Sequence, residues 1–159
     1  MSSMIQPRQS IQVPKDGVVL FLVGMRINQV WNVRQWMPVI AAMTGMLNEL
    51  ARHPELGVLG PSRTYRSGRT LQVQQYWRSL EDLESYARSK EHAHLPAWRE
   101  FYRRARGNKA VGIYHETYAV PPHGGDALYV NMPVHGLGTV AGSVPAAARE
   151  VASNLLDPV

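Results

Sequence analysis

The sequence of 159 residues predicts an α+β fold of ferredoxin-like β-α-β-β-α-β order, in which a four-stranded antiparallel sheet carries its helices on one face. Three observations predict this fold. Residues 18–25 are apolar at odd and even positions alike, as in a strand that is buried on both faces. Residues 31–52 repeat apolar side chains every three or four positions, as in a helix with one buried stripe. Residues 70–77 alternate between two sets of side chains, as successive residues of a strand do.

Proline and glycine mark where the first helix ends and where a hairpin follows. We expect Pro38 in the first turn of the helix and Pro54 at its end. Residues 56–65 predict a broken strand, because glycine and proline interrupt them. The pair Ser67-Gly68 is a hairpin-turn signal that leads into the alternating strand.

A second helix and a final strand complete the pattern. We expect Ser79 to be the N-cap of the helix, with Asp82 three residues later as in a capping box, and the helix to run to about Arg88. A further helical segment is predicted at 97–106 and the last strand at 112–118. That strand contains a His-Glu pair between two tyrosines, where apolar packing residues would be usual.

Three parts of the chain differ in composition. Residues 1–16 are polar and include two prolines, so we expect a flexible N-terminal arm. Residues 17–122 form the predicted ferredoxin-like domain. Residues 123–159 begin as a stretch rich in glycine and proline, and we expect this C-terminal extension to pack on the domain or on a partner.

The first strand predicts a partner for the domain. Its side chains are apolar on both faces, yet the helices of this fold cover only one face of the sheet. An uncovered apolar face is an association surface, and the simplest partner that would bury it is a second copy of the chain. We therefore expect a homodimer in which two sheets pack face to face, a dimeric α/β barrel.

Composition excludes several classes of site. The chain has no cysteine, which excludes disulfides, thiolate metal sites and cysteine nucleophiles, and is compatible with a cytoplasmic location. No apolar run is long enough to span a bilayer, and the first residues lack the apolar stretch of a secretory signal. We therefore expect a cytoplasmic protein with no membrane partner.

The net charge of +5 comes mainly from arginine. The densest basic cluster contains Arg99, Arg103, Arg104, Arg106 and Lys109. We interpret it as the solvated face of an amphipathic helix, because acidic residues interrupt the basic surface and no nucleic-acid-binding motif accompanies the arginines. We expect no nucleic-acid partner.

Five short segments, in a fixed order, carry a resemblance to a known family. They are residues 23–28 (VGMRIN), 76–79 (YWRS), 91–98, 112–118 (GIYHETY) and 131–133 (NMP). The chain resembles small monooxygenase-like proteins related to a fumagillin-pathway oxygenase, which are similar to the dimeric α/β-barrel superfamily of antibiotic-biosynthesis monooxygenases and haem-binding relatives. The resemblance covers roughly residues 17–137 and implies the fold and the dimer. It leaves the reaction open, because this superfamily hosts very different chemistries.

His115 and Glu116 are the candidate catalytic residues. Because side chains alternate along a strand, only one of them can point into a pocket, so they compete for the role of general base. His115 is also a candidate metal ligand. The alternative is a structural one, in which His115 packs among apolar neighbours and Glu116 pairs with an arginine such as Arg26.

His92 and His94 are the candidate haem ligands. The resemblance implies this role, because haem binders of the superfamily take an axial histidine from the region of the second helix. Any haem would be non-covalent, since the chain has no Cys-Xaa-Xaa-Cys-His motif. The two histidines are equally compatible with capping or surface positions. The expected cofactor is therefore either none or haem, and the spacing of Glu91, His92 and His115 does not support a non-haem metal site.

The candidate substrate-binding residues are polar groups at the end of the first strand and aromatic side chains. They are Arg26, Asn28, Tyr76, Trp77, Trp98, Tyr114 and Tyr118. Polar tips on an otherwise apolar wall suit an aromatic ligand. Arg26 and Asn28 could equally end the sheet at solvent, and the tryptophans could equally belong to the core.

These residues and the resemblance together predict a small monooxygenase-like enzyme that oxidises an apolar, aromatic or polyketide-like metabolite in a buried barrel pocket. In the cofactor-independent version, a base removes an acidic proton and the substrate anion reduces O₂ directly. One alternative is a haem-binding enzyme of oxygenase, peroxidase or dehydratase type. Another is a non-catalytic dimer that binds a hydrophobic ligand. The sequence does not decide whether O₂ is used.

Overall fold

A computed structural model describes residues 9–91, 96, 99, 109–141 and 143–145. Its strands are β1 (Gln9–Gln12), β2 (Val18–Ile27), β3 (Val58–Ser67), β4 (Thr70–Trp77), β5 (Val111–Val120), β6 (Asp126–Tyr129) and β7 (Ser143–Pro145). The helices whose bounds lie within the described residues are α1 (Val33–Arg52) and α2 (Leu80–Arg88), with short 3-10 turns at Pro54–Leu56 and Gly136–Thr139. Most of the helical segment predicted at 97–106 lies outside the described residues.

The main sheet has the strand order β3-β4-β2-β5, and every neighbouring pair is antiparallel. The strands β3 and β4 form a hairpin around the predicted Ser67-Gly68 turn, where Gly68 has a positive φ of 56°. The first strand of the sheet lies in its interior, between β4 and β5, which is why it is apolar on both faces. The predicted α+β, ferredoxin-like fold is confirmed.

The two helices begin and end close to the predicted positions. Ser79 caps α2, since its Oγ accepts a hydrogen bond of 3.1 Å from the backbone N–H of Asp82. The α1 helix begins at Val33, so Pro38 lies in its second turn and not in the first as expected. Proline has no N–H to donate, and α1 therefore lacks one of its internal hydrogen bonds there.

A second sheet joins Gln9–Gln12 to two strands of the C-terminal extension. It has three strands in the order β6-β1-β7, and both pairs are antiparallel. The flexible arm expected at residues 1–16 is therefore wrong for Gln9–Gln12, which form the central strand β1. Ile11 is 1% exposed and Val13 is also buried, so two apolar side chains hold this otherwise polar segment in place.

The core lies between the main sheet and the helices. It is built from Val19, Leu50, Val58, Trp77, Leu83 and Tyr86. The Tyr86 hydroxyl finds a partner within this apolar layer, donating a hydrogen bond of 2.9 Å to Oε2 of Glu49 on α1. This bond ties α2 to α1 above the sheet. No helix among the described residues is both long and apolar enough to span a membrane.

The other face of the main sheet, here called the outer face, points away from the helices. Part of the C-terminal extension covers its β3–β4 side. His135 shares a hydrogen bond of 2.9 Å with the hydroxyl of Tyr65, and a Cβ on Gly136 would lie 3.6 Å from the hydroxyl of Tyr76. At least this part of the extension therefore packs on its own domain.

Candidate functional site

A cavity of about 490 Å³ lies between the main sheet and the two helices. Strands β2, β4 and β5 form its floor, while α1 and α2 form its walls. Most of the lining is apolar and includes Val39, Met43, Met46 and Leu83. A space of this size with few polar groups suits a small apolar organic ligand.

His115 lies on the floor of this cavity. It is paired with Val23 in the sheet, and its ring packs against Phe21 with a centroid separation of 5.8 Å and an interplanar angle of 40°. Thr117, two residues further along β5, also lines the cavity. An imidazole beside a hydroxyl on an apolar floor can take a proton from a bound ligand or return one to it.

Two rows of side chains cross the floor from β4 over β2 to β5. The first row is Val73, Val23 and His115, and the second is Gln75, Phe21 and Thr117. Strand pairing fixes these rows, because residues opposite each other in an antiparallel sheet point to the same face. The polar groups of the floor therefore lie at its two sides, with Phe21 and Val23 between them.

The other polar residues of the lining have partners within the protein. Gln75 is 4% exposed; its Nε2 donates a hydrogen bond of 3.1 Å to Ser62 Oγ, and its Oε1 accepts one of 3.2 Å from Trp77 Nε1. Glu84 forms an ion pair of 3.0 Å with Arg88. The predicted substrate-binding residue Trp77 is completely buried on β4 and forms part of the cavity floor.

Glu116 points to the outer face, because it follows His115 in an extended strand. Its Oε2 accepts a hydrogen bond of 2.6 Å from the hydroxyl of Tyr118. This bond and the negative charge of the carboxylate raise the pKa of Tyr118 above its ordinary value. Of the two candidate bases, the structure brings only His115 to the cavity.

Tyr76 and Tyr114 also lie on the outer face. The ring of Tyr114 lies across Gly24, and its hydroxyl donates a hydrogen bond of 2.6 Å to Gln72 on β4. The hydroxyl of Tyr76 accepts a hydrogen bond of 3.0 Å from Gln74, and burial raises the pKa of Tyr76. These tyrosines and Tyr118 do not line the cavity.

Arg26 and Asn28 lie together at the end of the main sheet. Arg26 donates a hydrogen bond of 3.0 Å to Asn28 Oδ1, and Asn28 donates one of 3.0 Å to the carbonyl of Lys109. Neither residue lines the cavity, and the alternative ion pair between Arg26 and Glu116 is not formed. The two side chains connect the ends of β2 and β5. His92, His94 and Trp98 lie outside the described residues.

Sequence reasoning missed several residues of the floor, notably Phe21, Gln75 and Thr117. A signal for them was present in the alternation of the strands. Thr117 has the same parity as His115, and Gln75 has the same parity as the predicted wall residue Trp77. What the sequence did not supply was the register between the strands, which brings these residues into one row.

Haem is the cofactor that the resemblance implies. No group of three or more potential metal ligands occurs among the described residues. In the described lining of the cavity, His115 could serve as an axial haem ligand, but no arginine or lysine is present to neutralise the propionates. The candidate haem ligands His92 and His94 are not among these described residues.

The chain is similar to known proteins in sequence and in fold. A family model described as Monooxygenase af470-like matches residues 18–137. A curated relative, Monooxygenase af470 of Aspergillus fumigatus, is 29% identical over 153 residues, a match that covers 82% of this chain and 53% of the relative. The chain thus spans about half the length of this relative.

Two solved structures share the fold. An aldoxime dehydratase has a TM-score of 0.67 and 25% identity, and the match covers 88% of this chain and 42% of that one. The aldoxime dehydratase OxdRE, solved with butyraldoxime, has a TM-score of 0.68 and 19% identity, covering 84% of this chain and 39% of that one. This chain therefore spans less than half the length of either structure.

Proposed function

This chain belongs to the Monooxygenase af470-like family, and from this premise we propose that it is a small oxygenase that oxidises an apolar aromatic or polyketide-like metabolite. The observation that carries the proposal is the position of His115, a titratable side chain on the floor of a mostly apolar cavity of about 490 Å³. The ligand occupies the space between the sheet and the helices. The outer face of the main sheet takes no part in the reaction.

His115 acts as the general base in this proposal. A substrate with an activated methylene, flanked by aromatic rings or by a carbonyl, gives up a C–H proton to the imidazole. Phe21 packs against the imidazole ring on one side and restricts its position. Thr117 lies on the same strand face, where its hydroxyl can donate a hydrogen bond to an oxygen of the enolate.

Dioxygen is the oxidant and the source of the new oxygen atom. The substrate anion transfers one electron to O₂, and the two radicals combine to form a C–O bond, which gives a peroxide. Loss of the second C–H proton and cleavage of the O–O bond then yield a carbonyl and water. The balance is one CH₂ group and one O₂ consumed for one C=O group and one H₂O formed.

Isotope labelling tests this proposal. Anthrone and its hydroxylated derivatives are suitable probes, because each is flat, apolar and carries an activated methylene. Under ¹⁸O₂, the protein is expected to accelerate the formation of a quinone with one ¹⁸O atom, while the second ¹⁸O atom appears in water. If these probes bind without protein-dependent O₂ uptake, the protein is a carrier of hydrophobic ligands and the proposal is wrong.

We propose further that the protein forms a homodimer through the part of the outer face that the C-terminal extension leaves uncovered. Tyr118 is 50% exposed there, and Leu20 and Leu22 are only partly buried. The extension itself carries the exposed apolar side chains Val130 and Val134. In a twofold dimer, the extension of one copy would pack on the uncovered part of the outer face of the other. Both surfaces would therefore be covered in each copy.

A further inference from the structure

We propose that Gln75 is a second polar contact for the ligand, so that the substrate is a flat aromatic molecule with an oxygen function at each of two opposite ends. This inference rests on the proposed function, since it takes the cavity above β2 as the substrate site. It adds the chemical class of the substrate and a residue that selects for it.

The orientation of the Gln75 amide follows from its partners. The indole N–H of Trp77 can only donate, so the atom 3.2 Å from it must be the amide oxygen. The amide nitrogen then faces Ser62, at 3.1 Å from its hydroxyl oxygen. Two hydrogen bonds therefore hold a side chain that is 4% exposed in one orientation.

One hydrogen-bond donor of this amide is left over. A primary amide carries two N–H groups, and Ser62 accepts one of them. Within the described part of the chain, the second N–H has no acceptor, although Gln75 borders the cavity. An unsatisfied buried donor costs about 1–3 kcal/mol. A carbonyl or hydroxyl oxygen of a ligand would satisfy it.

The spacing of the polar groups gives the length of the ligand. Gln75 and Thr117 are both paired with Phe21, from opposite sides. Two interstrand steps separate their backbones by about 10 Å. The Phe21 side chain occupies the floor between them, and His115 lies beside Thr117 on β5. The floor therefore matches a body of two or three fused rings, with one oxygen at Gln75 and the reacting end near His115.

Binding of three matched probes tests this inference: naphthalene, 2-naphthol and 2,6-dihydroxynaphthalene, which carry no, one and two hydroxyl groups. Titrations with the wild-type protein are expected to show the diol binding about 5–10-fold more tightly than 2-naphthol, the gain of one hydrogen bond. Gln75→Met has a similar volume without a donor. It is expected to abolish this difference and to leave the affinity for naphthalene unchanged within about twofold.

Gln75→Glu serves as the second variant, because it keeps an acceptor for Trp77 and lacks the N–H donor. It too is expected to lose the preference for the diol. The inference is overturned if wild type does not prefer the diol, if the preference survives in these variants, or if all three probes weaken equally, which is the result of a purely structural role. If no probe binds wild type, the proposed function fails as well. If O₂ uptake depends on His115 while the diol preference is absent, only the role of Gln75 is wrong.

Discussion

His115 and Glu116 are neighbours in the chain but lie on opposite faces of β5, so they belong to different environments. His115 borders the apolar cavity, whereas the carboxylate of Glu116 accepts a hydrogen bond of 2.6 Å from a tyrosine on the outer face. Their separation follows from the period of two along a strand. It assigns the proposed proton transfer to His115 and leaves Glu116 to the surface network.

Replacement of Gly24 and of Gly45 by alanine is expected to change the free energy of unfolding in opposite directions. A Cβ on Gly24 would collide with the ring of Tyr114, while a Cβ on Gly45 in α1 would meet nothing within 4 Å. Gly24→Ala is therefore expected to lower the free energy of unfolding by about 1–3 kcal/mol, the usual cost of overpacking. Gly45→Ala is expected to raise it by about 0.5–1 kcal/mol, because alanine favours the helix.

Urea unfolding of both variants measures these changes, and Tyr114→Ala provides the control. In the background of Tyr114→Ala the ring is absent, so Gly24→Ala should then cost much less than in the wild type. Equal costs in the two backgrounds would mean that the ring does not lie across Gly24.

The raised pKa of Tyr86 predicts that the folded protein loses stability at alkaline pH. Burial raises the pKa of Tyr86 well above its ordinary value, and the bond to the Glu49 carboxylate raises it further. The unfolded chain loses this proton near pH 10 and the folded protein only at higher pH. The stability from Tyr86 is therefore complete below pH 10 and decreases as the pH rises above it.

Tyr86→Phe removes the titrating group and its hydrogen bond. At pH 7 this variant should be less stable than wild type by about 1–2 kcal/mol. Its stability should also fall less steeply than that of wild type above pH 10. The control is Tyr118→Phe, whose hydroxyl is exposed and whose loss should change stability little. Parallel curves for wild type and Tyr86→Phe above pH 10 would refute this role of Tyr86.

The proposed dimer predicts that substitution of an exposed apolar residue changes the oligomeric state only if that residue lies in the interface. Val134→Asp places a charge on the exposed part of the extension, so light scattering after gel filtration should show a monomer. Trp31→Ser is the matched control: Trp31 is 78% exposed but precedes α1, away from the outer face, and this variant should remain dimeric. A monomeric wild-type protein at all accessible concentrations would contradict the interface.

The periodicity of the sequence was sufficient to predict the ferredoxin-like core. The apolar run at 18–25, the hairpin signal at Ser67-Gly68 and the Ser79 cap are local signals, and each has a local physical cause. The three-stranded sheet was missed because β1 has only four residues, Gln9–Gln12, and its partners lie more than a hundred residues away. Such pairing leaves no pattern within a short window.

Only the part of the candidate site that follows from alternation along a single strand could be predicted. The rest depends on pairing between strands. Alternation along β5 correctly separated His115 from Glu116, but it gave no means of deciding which face is the cavity. Tyr76 and Tyr114 were expected near the substrate as aromatic residues, yet both lie on the outer face. The placement of Gln75 opposite Thr117 across Phe21 depends on the register of three strands, and that register is a tertiary property.

The rate of O₂ uptake with anthrone, compared between His115→Asn and Glu116→Gln, tests the central claim most directly. Both substitutions remove a titratable group and keep a polar side chain, so they are matched in kind. His115→Asn is predicted to lower kcat by about 10²–10⁴-fold, the usual contribution of a general base. Glu116→Gln is predicted to stay within about twofold of wild type. Loss of activity in Glu116→Gln with full activity in His115→Asn would contradict the assignment of the cavity base.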